Sequence, residues 1–582
     1  MGTKEITVRG INSRLFSKIL TNILLIKNLP LHYRVCGRRK QTFSPVSPYQ
    51  YLENLIKSHP EIRERTAIRR ERQITYRQLQ FDIEKIAGFL YWKCGTRKGE
   101  NIAICGRGSI EGIESFFAMN KIGAINARIF NGAKCEKIRE NLLLLQSRTI
   151  LTDSSNLSEI GQAICDSPVK TLVVMDKAEN DQIVNFQRLH PDIKIYQWGE
   201  VMADQPPEIG HKQVTIKDPA AILYTSGSNG DPKPIMISNQ VYVEMPRIVK
   251  TTTNQKICDG EKVVGVVSHE YPYAAINSTT MILLMGKTLI LPDNDKNGGL
   301  DFRHLLGLKP HKIQAIPNFY KLLELYGQNE KLNLQLDFLK NIVSGGEVFL
   351  EEEKIETLSF MKKHGGTPLL IDGFGFGELG SATALKFGLN NYFLLMNGVR
   401  VKAVDPDTYK ELESGREGIL CITSPCIADG YYKNEEATRK AFLMDEKGVR
   451  WFVSDTYGSV HGLTKRLIKL GGRVREYFIT GDGKGNFVKV YAGNVEGAIM
   501  GAGIVRDCIV VPSNEKGMPH PVAYVCIKEE EENLTTEEIC EAIQIACAKL
   551  ENFAQPVRII VEKEIKRTPA GKKDYGFYLG KD

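Results

Sequence analysis

The stretch ILYTSGSNGDPKPIMISNQ, residues 222–240, leads from an apolar segment through a small-residue loop to Lys233. The loop residues are Thr225, Ser226, Gly227, Ser228, Asn229 and Gly230. Such a turn after an apolar strand can point several backbone N–H groups and hydroxyls at one place, which is how proteins hold anionic oxygens. Lys233 adds a positive charge. The stretch predicts an anion-binding loop, although a Ser/Gly-rich surface turn has a similar composition. Its spacing differs from Gly-x-x-x-x-Gly-Lys-Ser/Thr, so it is not the phosphate-binding loop of the common P-loop NTPases.

Composition and charge exclude several classes of protein. The chain has 582 residues, of which 42% are hydrophobic and 25% charged, so it is long enough for two or three folded domains. The formal net charge is +8, but residues 1–40 alone carry nine Lys/Arg against one acid. The rest of the chain holds 68 bases and 68 acids, and we expect no nucleic-acid partner.

The basic N-terminal arm also has apolar residues at helical spacing, from Leu15 to Ile26, before Pro30. A basic amphipathic segment is typical of a peripheral membrane anchor or an organelle-targeting peptide. A solvated helix that packs its apolar stripe on the body fits equally well. The stretch is too short and too interrupted to span a bilayer. We expect a cytoplasmic protein and leave membrane contact or targeting by residues 1–40 open.

Short β-branched runs alternate with helical patterns along most of the chain, which predicts an α/β fold with parallel strands. GENIAICGRG (99–108) is a predicted strand and IEGIESFFAMNKIGAI (110–125) a predicted helix. The last hundred residues predict a small α+β domain whose helix opens with Thr535 and Glu538, a capping box. Twelve scattered cysteines without a Cys-x-x-Cys pair indicate free thiols and no structural zinc.

Seven segments in order resemble motifs of the acyl-adenylate-forming superfamily, which includes acyl-CoA and aryl-CoA synthetases, peptide-synthetase adenylation domains and firefly luciferase. YTSGSNGDPKP resembles its phosphate loop. The other six are ITYRQLQFDIEKIAGFL (74–90), VSGGEVF (343–349), DGFGFGELG (372–380), GREGILCITSPCIADGYYKNEEATRKAF (415–442), WFVSD (451–455) and KRTPAGKKDYG (566–576). The resemblance runs from about residue 50 to residue 576.

The resemblance implies roles for particular residues. Gly345, Gly346 and Glu347 would lie along the adenine and the acyl group. In the segment of Gly373, Gly375 and Gly377, Asp372 would accept from the adenine amino group, Phe374 would stack on the ring and Glu378 would hold Mg²⁺. Glycines let a backbone pass a flat ring, and a carboxylate oxygen suits magnesium. Asp455 would take the ribose hydroxyls, and Lys572 would be the catalytic lysine.

The resemblance also implies a domain plan and a reaction. Residues 1–48 would be an arm, 49–483 a large AMP-binding domain of several subdomains, and 484–582 a small mobile domain that pivots near Lys484. The protein would join a small-molecule carboxylic acid to ATP, release pyrophosphate and pass the acyl group to a thiol. That thiol belongs either to coenzyme A or to the phosphopantetheine of an acyl carrier protein. The alternative is a catalytically weakened scaffold that binds ATP.

Several positions depart from the family pattern. Asp482 stands where an arginine is usual, Gly377 replaces a threonine, Ser454 a glycine, and Pro234 follows the loop lysine. These changes predict weaker or rearranged ATP binding.

The acyl pocket is expected to include Tyr271, Tyr273 and Phe376, together with Phe349. An apolar and aromatic lining suits a medium acyl chain or an aromatic acid. Glu270 is the nearest carboxylate and is expected at the rim, so an acid without an α-amine is favoured.

Overall fold

The structure is a computed structural model of the chain. It describes residues 46–210, 213–225, 232–266, 269–293, 300–328, 333–389, 391–473, 477–481, 487–513, 519–531, 533–567, 573–579 and 581.

Strands supply most of the framework. In chain order they are β1 Thr66–Arg69, β2 Gln73–Thr75, β3 Asn101–Cys105, β4 Ile125–Ile129, β5 Thr149–Thr152, β6 Thr171–Val174, β7 Lys194–Gln197, β8 Pro219–Thr225, β9 Lys233–Ser238, β10 Lys262–Val266, β11 Thr288–Ile290, β12 Lys312–Ala315, β13 Asn341–Gly345 and β14 Leu369–Phe376. They continue with β15 Ser381–Phe387, β16 Phe393–Leu395, β17 Arg400–Val404, β18 Glu417–Thr423, β19 Gly430–Tyr431, β20 Phe442–Met444, β21 Arg450–His461, β22 Leu467–Arg473, β23 Tyr477–Gly481, β24 Phe487–Tyr491, β25 Val505–Pro512, β26 Pro521–Ile527 and β27 Arg558–Val561.

Helices cover the sheets. They are α1 Pro48–Ser58, α2 Tyr76–Gly88, α3 Ile110–Ile122, α4 Cys135–Leu145, α5 Leu157–Ala163, α6 Asn180–Leu189, α7 Trp198–Ala203, α8 Asn239–Thr253, α9 Met281–Leu284, α10 Phe302–Gly307, α11 Pro317–Gly327, α12 Glu351–Lys363, α13 Glu435–Ala441, α14 Ala492–Met500, α15 Thr536–Cys547 and α16 Tyr575–Leu579. Wider helical segments of the π type span Phe89–Lys93 and Tyr273–Thr280. No described helix is long and apolar enough to cross a membrane.

The first large sheet has eight strands in the order β19-β9-β8-β4-β3-β5-β6-β7. Its strands from β8 to β7 are parallel, and β9 and β19 join antiparallel at one edge. Ile104 in β3 and Ile222 in β8 are fully buried, as expected for parallel strands covered on both faces.

The second large sheet joins a parallel half to an antiparallel half. Its order is β17-β18-β21-β22-β16-β15-β14-β13-β12-β10-β11-β1-β2, with β20 added beside β21. The strands from β14 to β1 run parallel, and those from β15 to β17 run antiparallel. The direction changes at β14, which carries the segment around Phe374.

The C-terminal part forms a separate small sheet, β25-β26-β27, packed against α14 and α15. Thr535 accepts from the backbone N–H of Glu538, and the side chain of Glu538 accepts in return, so the predicted capping box is confirmed. The predicted α/β class and the alternation of strands and helices are also confirmed. The predicted helix 110–125 ends earlier, at Ile122, because Gly123 adopts a left-handed φ of 76° and terminates it.

The predicted domain boundaries remain predictions. The arm falls mostly before residue 46, and Lys484 and Asp482 lie outside the described residues. The described cysteines are free thiols, with Cys105, Cys426 and Cys508 among the buried ones.

Candidate functional site

The ends of β8 and β9 frame the loop of the opening stretch. The two strands pair antiparallel, with Thr225 opposite Lys233, so β8 and β9 form a hairpin whose two strand ends lie side by side. Ser226, Gly227, Ser228, Asn229 and Gly230, the predicted phosphate contacts, lie outside the described residues. The hairpin fixes the positions of Thr225 and Lys233 at the two ends of that loop.

A lysine, a tyrosine and a glutamate form a chain of contacts beside this hairpin. The Nζ of Lys233 lies 5.5 Å from the ring centre of Tyr431. The Tyr431 hydroxyl donates a 2.6 Å hydrogen bond to Oε1 of Glu378, which is buried. β19 pairs with β9, and this pairing brings Tyr431 next to Lys233. Tyr431 lies in the segment 415–442 that resembles a family motif, but no role was predicted for it from the sequence.

The electrostatics of Glu378 join three of the predicted site residues. Burial raises the pKa of its carboxyl group, and the charge of Asp455 raises it further. The hydrogen bond from Tyr431 and the charge of Lys233 act in the opposite direction. Glu378, Asp455 and Lys233 come from distant segments of the sequence, and the fold brings them within electrostatic range of one another. A cation beside Glu378 would relieve the cost of keeping it ionised.

Gly377 allows the turn before Glu378 to approach the loop hairpin closely. A Cβ atom at Gly377 would lie 3.1 Å from Cγ2 of Thr225 and 3.2 Å from Cγ of Pro272. At Gly375 the space is smaller still: a Cβ there would lie only 1.7 Å from the carbonyl oxygen of Ser381. The absence of side chains at both positions therefore has a local steric cause.

Asp372 is held by two lysines that the sequence did not predict. Its Oδ2 accepts from Nζ of Lys354 at 2.5 Å and lies 3.6 Å from Nζ of Lys386. The register of β14 and β15 places Asp372 directly opposite Lys386. Burial and the nearby charge of Lys354 lower the pKa of Lys386 to about 8, although Asp372 raises it.

Aromatic rings surround the predicted adenine site. Phe374 packs on Phe376, with ring centres 5.1 Å apart and planes at 82°, and lies 6.0 Å from Phe393. Phe376 also packs on Phe452 at 5.2 Å. Phe376 was predicted in the acyl pocket, and its ring lies in contact with that of Phe374, the predicted adenine-stacking residue.

The two predicted acyl-pocket tyrosines occupy different surroundings. A Cβ at Gly345 would lie 3.6 Å from Cζ of Tyr273, so this ring faces the Gly345 turn. Tyr271 packs on Phe130 at 5.4 Å, and burial together with the charge of Glu270 raises its pKa to about 12. Glu270 itself is buried, and its Oε1 accepts from the backbone N–H of Asn131 at 3.2 Å. The expectation that Glu270 stands at a rim was wrong: it is buried, its side chain accepts from the backbone N–H of Asn131, just after β4, and its backbone carbonyl accepts from that of Tyr224 in β8.

Comparison with known proteins identifies the family. The model of the AMP-binding enzyme family matches residues 57–432, which is more than half of the chain. The chain belongs to the AMP-binding enzyme family.

Relatives of this AMP-binding chain are distant. Acetyl-coenzyme A synthetase of Helicobacter pylori (strain HPAG1) is 23% identical over 380 residues, covering 60% of this chain and 55% of that protein. Acyl-CoA synthetase short-chain family member 3, mitochondrial, of Bos taurus is 24% identical over 86% of this chain and 74% of its own length. 4-coumarate--CoA ligase-like 2 of Arabidopsis thaliana is 24% identical over 86% of this chain and 85% of its own length. The match thus spans only about half the length of the Helicobacter acetyl-coenzyme A synthetase.

Solved structures share the AMP-binding fold along nearly the whole chain. The anthranilate CoA ligase AuaEII in complex with anthranoyl-AMP superposes with a TM-score of 0.76 at 19% identity, covering 92% of this chain and 97% of that one. ATP-bound MatB from Rhodopseudomonas palustris superposes with a TM-score of 0.74 at 16% identity, covering 92% of this chain and 99% of that one. These likenesses establish the fold.

The small C-terminal sheet of this AMP-binding protein docks against the Gly345 turn. The backbone N–H of Lys573 donates a 3.0 Å hydrogen bond to Oε1 of Glu347, and Nη1 of Arg567 lies 3.5 Å from the same oxygen. Glu347 was predicted to contact nucleotide, and the structure places it against the C-terminal segment. Gly346, next to it, has a left-handed φ of 84° that favours glycine. Lys572, the predicted catalytic lysine, lies outside the described residues.

Charged groups extend this contact. Asp507 lies 3.5 Å from Nζ of Lys321, 3.5 Å from Nζ of Lys573 and 2.5 Å from Nη2 of Arg567. Burial raises the pKa of Asp507, but these three cations together lower it to about 2. Lys573 also pairs with Glu496 at 2.9 Å. The paired residues lie 60 to 186 positions apart in the sequence, so no local pattern signalled this network.

Proposed function

We propose that this protein is an ATP-dependent carboxylic acid ligase that forms an acyl-adenylate and pyrophosphate and then a thioester. The observation that carries the proposal is the buried Glu378, hydrogen-bonded by Tyr431 and placed beside Lys233 and Asp455 at the loop hairpin of an AMP-binding family member. This arrangement offers a carboxylate for a metal ion and a cation for phosphate oxygens at one place. Both are needed where a triphosphate is cleaved.

Glu378 fits the metal ligand that the proposal requires. Its carboxylate is buried, one oxygen is fixed by the Tyr431 hydroxyl, and the nearby charge of Asp455 adds to the negative potential. Hard carboxylate oxygens are the ligands that Mg²⁺ prefers. When bound there, Mg²⁺ would supply neutralisation of negative charge on phosphate oxygens.

The first half-reaction is an in-line displacement. An oxygen of the substrate carboxylate attacks the α-phosphorus of ATP, the bond between this phosphorus and the bridging oxygen breaks, and pyrophosphate leaves with the electron pair. We assign Lys233 and the loop from Thr225 to Gly230 to the leaving phosphates. Lys572 is assigned to the attacking carboxylate and the α-phosphate oxygens.

The remaining nucleotide contacts follow the same proposal. Phe374 would stack on the adenine, and Asp455 would bind the ribose hydroxyls. The lysines that hold Asp372 orient its carboxylate, which suits an acceptor for the adenine amino group. Gly345 and Gly346 would let the backbone lie along the ligand.

The second half-reaction transfers the acyl group from AMP to a thiolate. The sulfur bonds to the acyl carbon, and AMP leaves with the electrons of the broken C–O bond. We propose coenzyme A as the thiol and a rotation of residues 484–582 near Lys484 between the two steps. Relatives named acetyl-coenzyme A synthetase and 4-coumarate--CoA ligase-like 2 support coenzyme A over a carrier protein. Tyr271, Tyr273 and Phe376 are assigned to the pocket of a medium acyl chain or an aromatic acid.

ATP–pyrophosphate exchange tests the proposal directly. Purified protein is assayed with Mg²⁺ and separate pools of fatty, aromatic, dicarboxylic and amino acids. One pool should give exchange that Glu378→Ala loses and the control Glu417→Ala, an exposed glutamate, retains. Exchange in no pool, with ATP still bound by the wild type, would favour the ATP-binding scaffold instead.

A further inference from the structure

A small cavity lies among β4 and β8 of the first sheet, α3, α8 and the Tyr273–Thr280 helix. It has a volume of about 20 Å³, enough for one water-sized body. Phe116 of α3, Tyr242 of α8 and Thr279 contribute to its wall. The ring of Tyr273 instead faces the Gly345 turn, so the cavity is distinct from the proposed acyl pocket.

The cavity wall contains a buried arginine whose hydrogen-bonding groups are not all used. Arg128 of β4 is 4% exposed, and its Nε and Nη1 groups have no hydrogen-bond partner. A guanidinium keeps its charge in proteins, and leaving it buried without partners is strongly destabilising, as is breaking a buried ion pair. Nearby Glu270 and Asp153 raise the pKa of Arg128, but burial outweighs them and the net pKa is lowered. These two carboxylates therefore do not compensate the guanidinium fully.

A helix N-terminus adds to the positive potential at the same place. α3 begins after Ser109, and a Cβ at Gly112 in its first turn would lie 3.8 Å from Nη2 of Arg128. Helix N-termini carry a partial positive charge, so α3 and Arg128 repel each other unless an anion lies between them.

The other polar groups in the wall do not supply negative charge. His269 bonds through Nε2 to Oγ1 of Thr279 at 2.9 Å, and burial together with Arg128 and Arg70 lowers its pKa to about 3. The ring is therefore neutral. Asn126 lines the cavity with an amide oxygen that has no partner, and a flip of this amide would present its NH₂ group instead.

We propose that this cavity binds a single monatomic anion, chloride in the cell, on the guanidinium of Arg128. The size of the cavity excludes phosphate, carboxylic acids and nucleotides, and a water molecule would fill the space without neutralising the charge. The bound anion would lie between Arg128 of β4, α3 and the Tyr273–Thr280 helix, which all line the cavity. This inference is independent of the proposed catalytic activity.

Bromide replaces chloride in such sites and can be located by its anomalous scattering. Crystals of the full chain grown in bromide instead of chloride should show an anomalous peak in contact with the Arg128 guanidinium. A cavity that holds only water, with no anomalous signal, would overturn the proposal. This measurement needs no variant, so it decides the question even if Arg128 variants fail to fold.

Thermal unfolding provides a second test in solution. At equal ionic strength, sodium chloride should raise the Tm of the wild type by about 2 °C over sodium gluconate, because the anion binds the folded state. Arg128→Met should lose this difference, while Arg107→Gln, which removes a half-exposed arginine outside the cavity, should keep it. An equal chloride response in Arg128→Met and the wild type would contradict the assignment.

Discussion

At the scale of single residues, Tyr431 is the group that most directly controls the state of Glu378. Its hydroxyl donates to a carboxylate whose pKa is raised mainly by burial, and this hydrogen bond favours the ionised form. Lys233, above the Tyr431 ring, acts in the same direction. The balance between burial and these two groups sets the pH at which the carboxyl group of Glu378 ionises.

Replacing Tyr431 by phenylalanine should move that pH. The Tyr431→Phe variant loses a charge-assisted hydrogen bond of about 1.5–3 kcal/mol, so the pKa of Glu378 rises further. Because the proposed function requires ionised Glu378, the acidic limb of the pH profile of ATP–pyrophosphate exchange should shift to higher pH. Tyr432→Phe, one residue away and bonded to Asn101, is the matched control. An unchanged acidic limb would show that Glu378 is not the titrating group.

At the scale of elements, the apolar run before the loop predicted β8, and the capping signals at Thr535 predicted α15, whereas β9 after the loop was not predicted. Those features depend on local periodicity and turn chemistry, which a sequence displays directly. The pairing of Asp372 with Lys386 depends on the register of β14 and β15, and that of Glu378 with Tyr431 on an edge strand 53 residues later. Register between strands is set by tertiary packing, so these partners could not be predicted.

The close contact between the Gly377 turn and the end of β8 also belongs to the scale of elements. Gly377→Ala would place a Cβ 3.1 Å from Cγ2 of Thr225, which is tighter than ordinary contact. Displacing the end of β8 by a few tenths of an ångström should raise the KM for ATP about fivefold, equivalent to roughly 1 kcal/mol.

A second substitution tests the steric cause. Thr225→Ser keeps the hydroxyl and removes the methyl group, so the Gly377→Ala/Thr225→Ser double variant should recover most of the ATP affinity. Gly307→Ala, where an added Cβ meets no atom within 4 Å, serves as control. If the double variant is as weak as Gly377→Ala alone, the close approach to Thr225 is not the reason for glycine.

At the scale of the whole molecule, the charges around Asp507 connect the C-terminal sheet to the rest of the protein. Asp507 lies in the small sheet, and Lys321 lies in α11 on the other side of the contact. The folded pKa of Asp507, about 2, lies below its usual value of 3.8. The stabilisation is therefore fully present above about pH 4 and is lost as the pH falls towards 2. At neutral pH the contact holds the small sheet against the Gly345 turn.

Asp507→Asn isolates the contribution of this contact. The substitution keeps the shape of the side chain, and each of the three cations retains another carboxylate, namely Glu353 for Lys321, Glu347 for Arg567 and Glu496 for Lys573. Weaker docking should slow adenylate formation about tenfold, corresponding to roughly 1.4 kcal/mol, because the proposed first half-reaction needs the C-terminal segment docked against the large part. Thioester formation from supplied acyl-adenylate should change little, since the proposed rotation breaks the contact before that step.

Lys528→Met is the control, because it removes a different ion pair between the small sheet and the large part of the protein. Its ion pair with Glu356, 3.4 Å long, also joins the small sheet to the large part but is more exposed to solvent and worth little. Both half-reactions should therefore keep their wild-type rates in Lys528→Met. Equal slowing of both half-reactions in Asp507→Asn would mean that the contact stabilises the fold as a whole. The orientation seen here would then not be the one that separates the two steps.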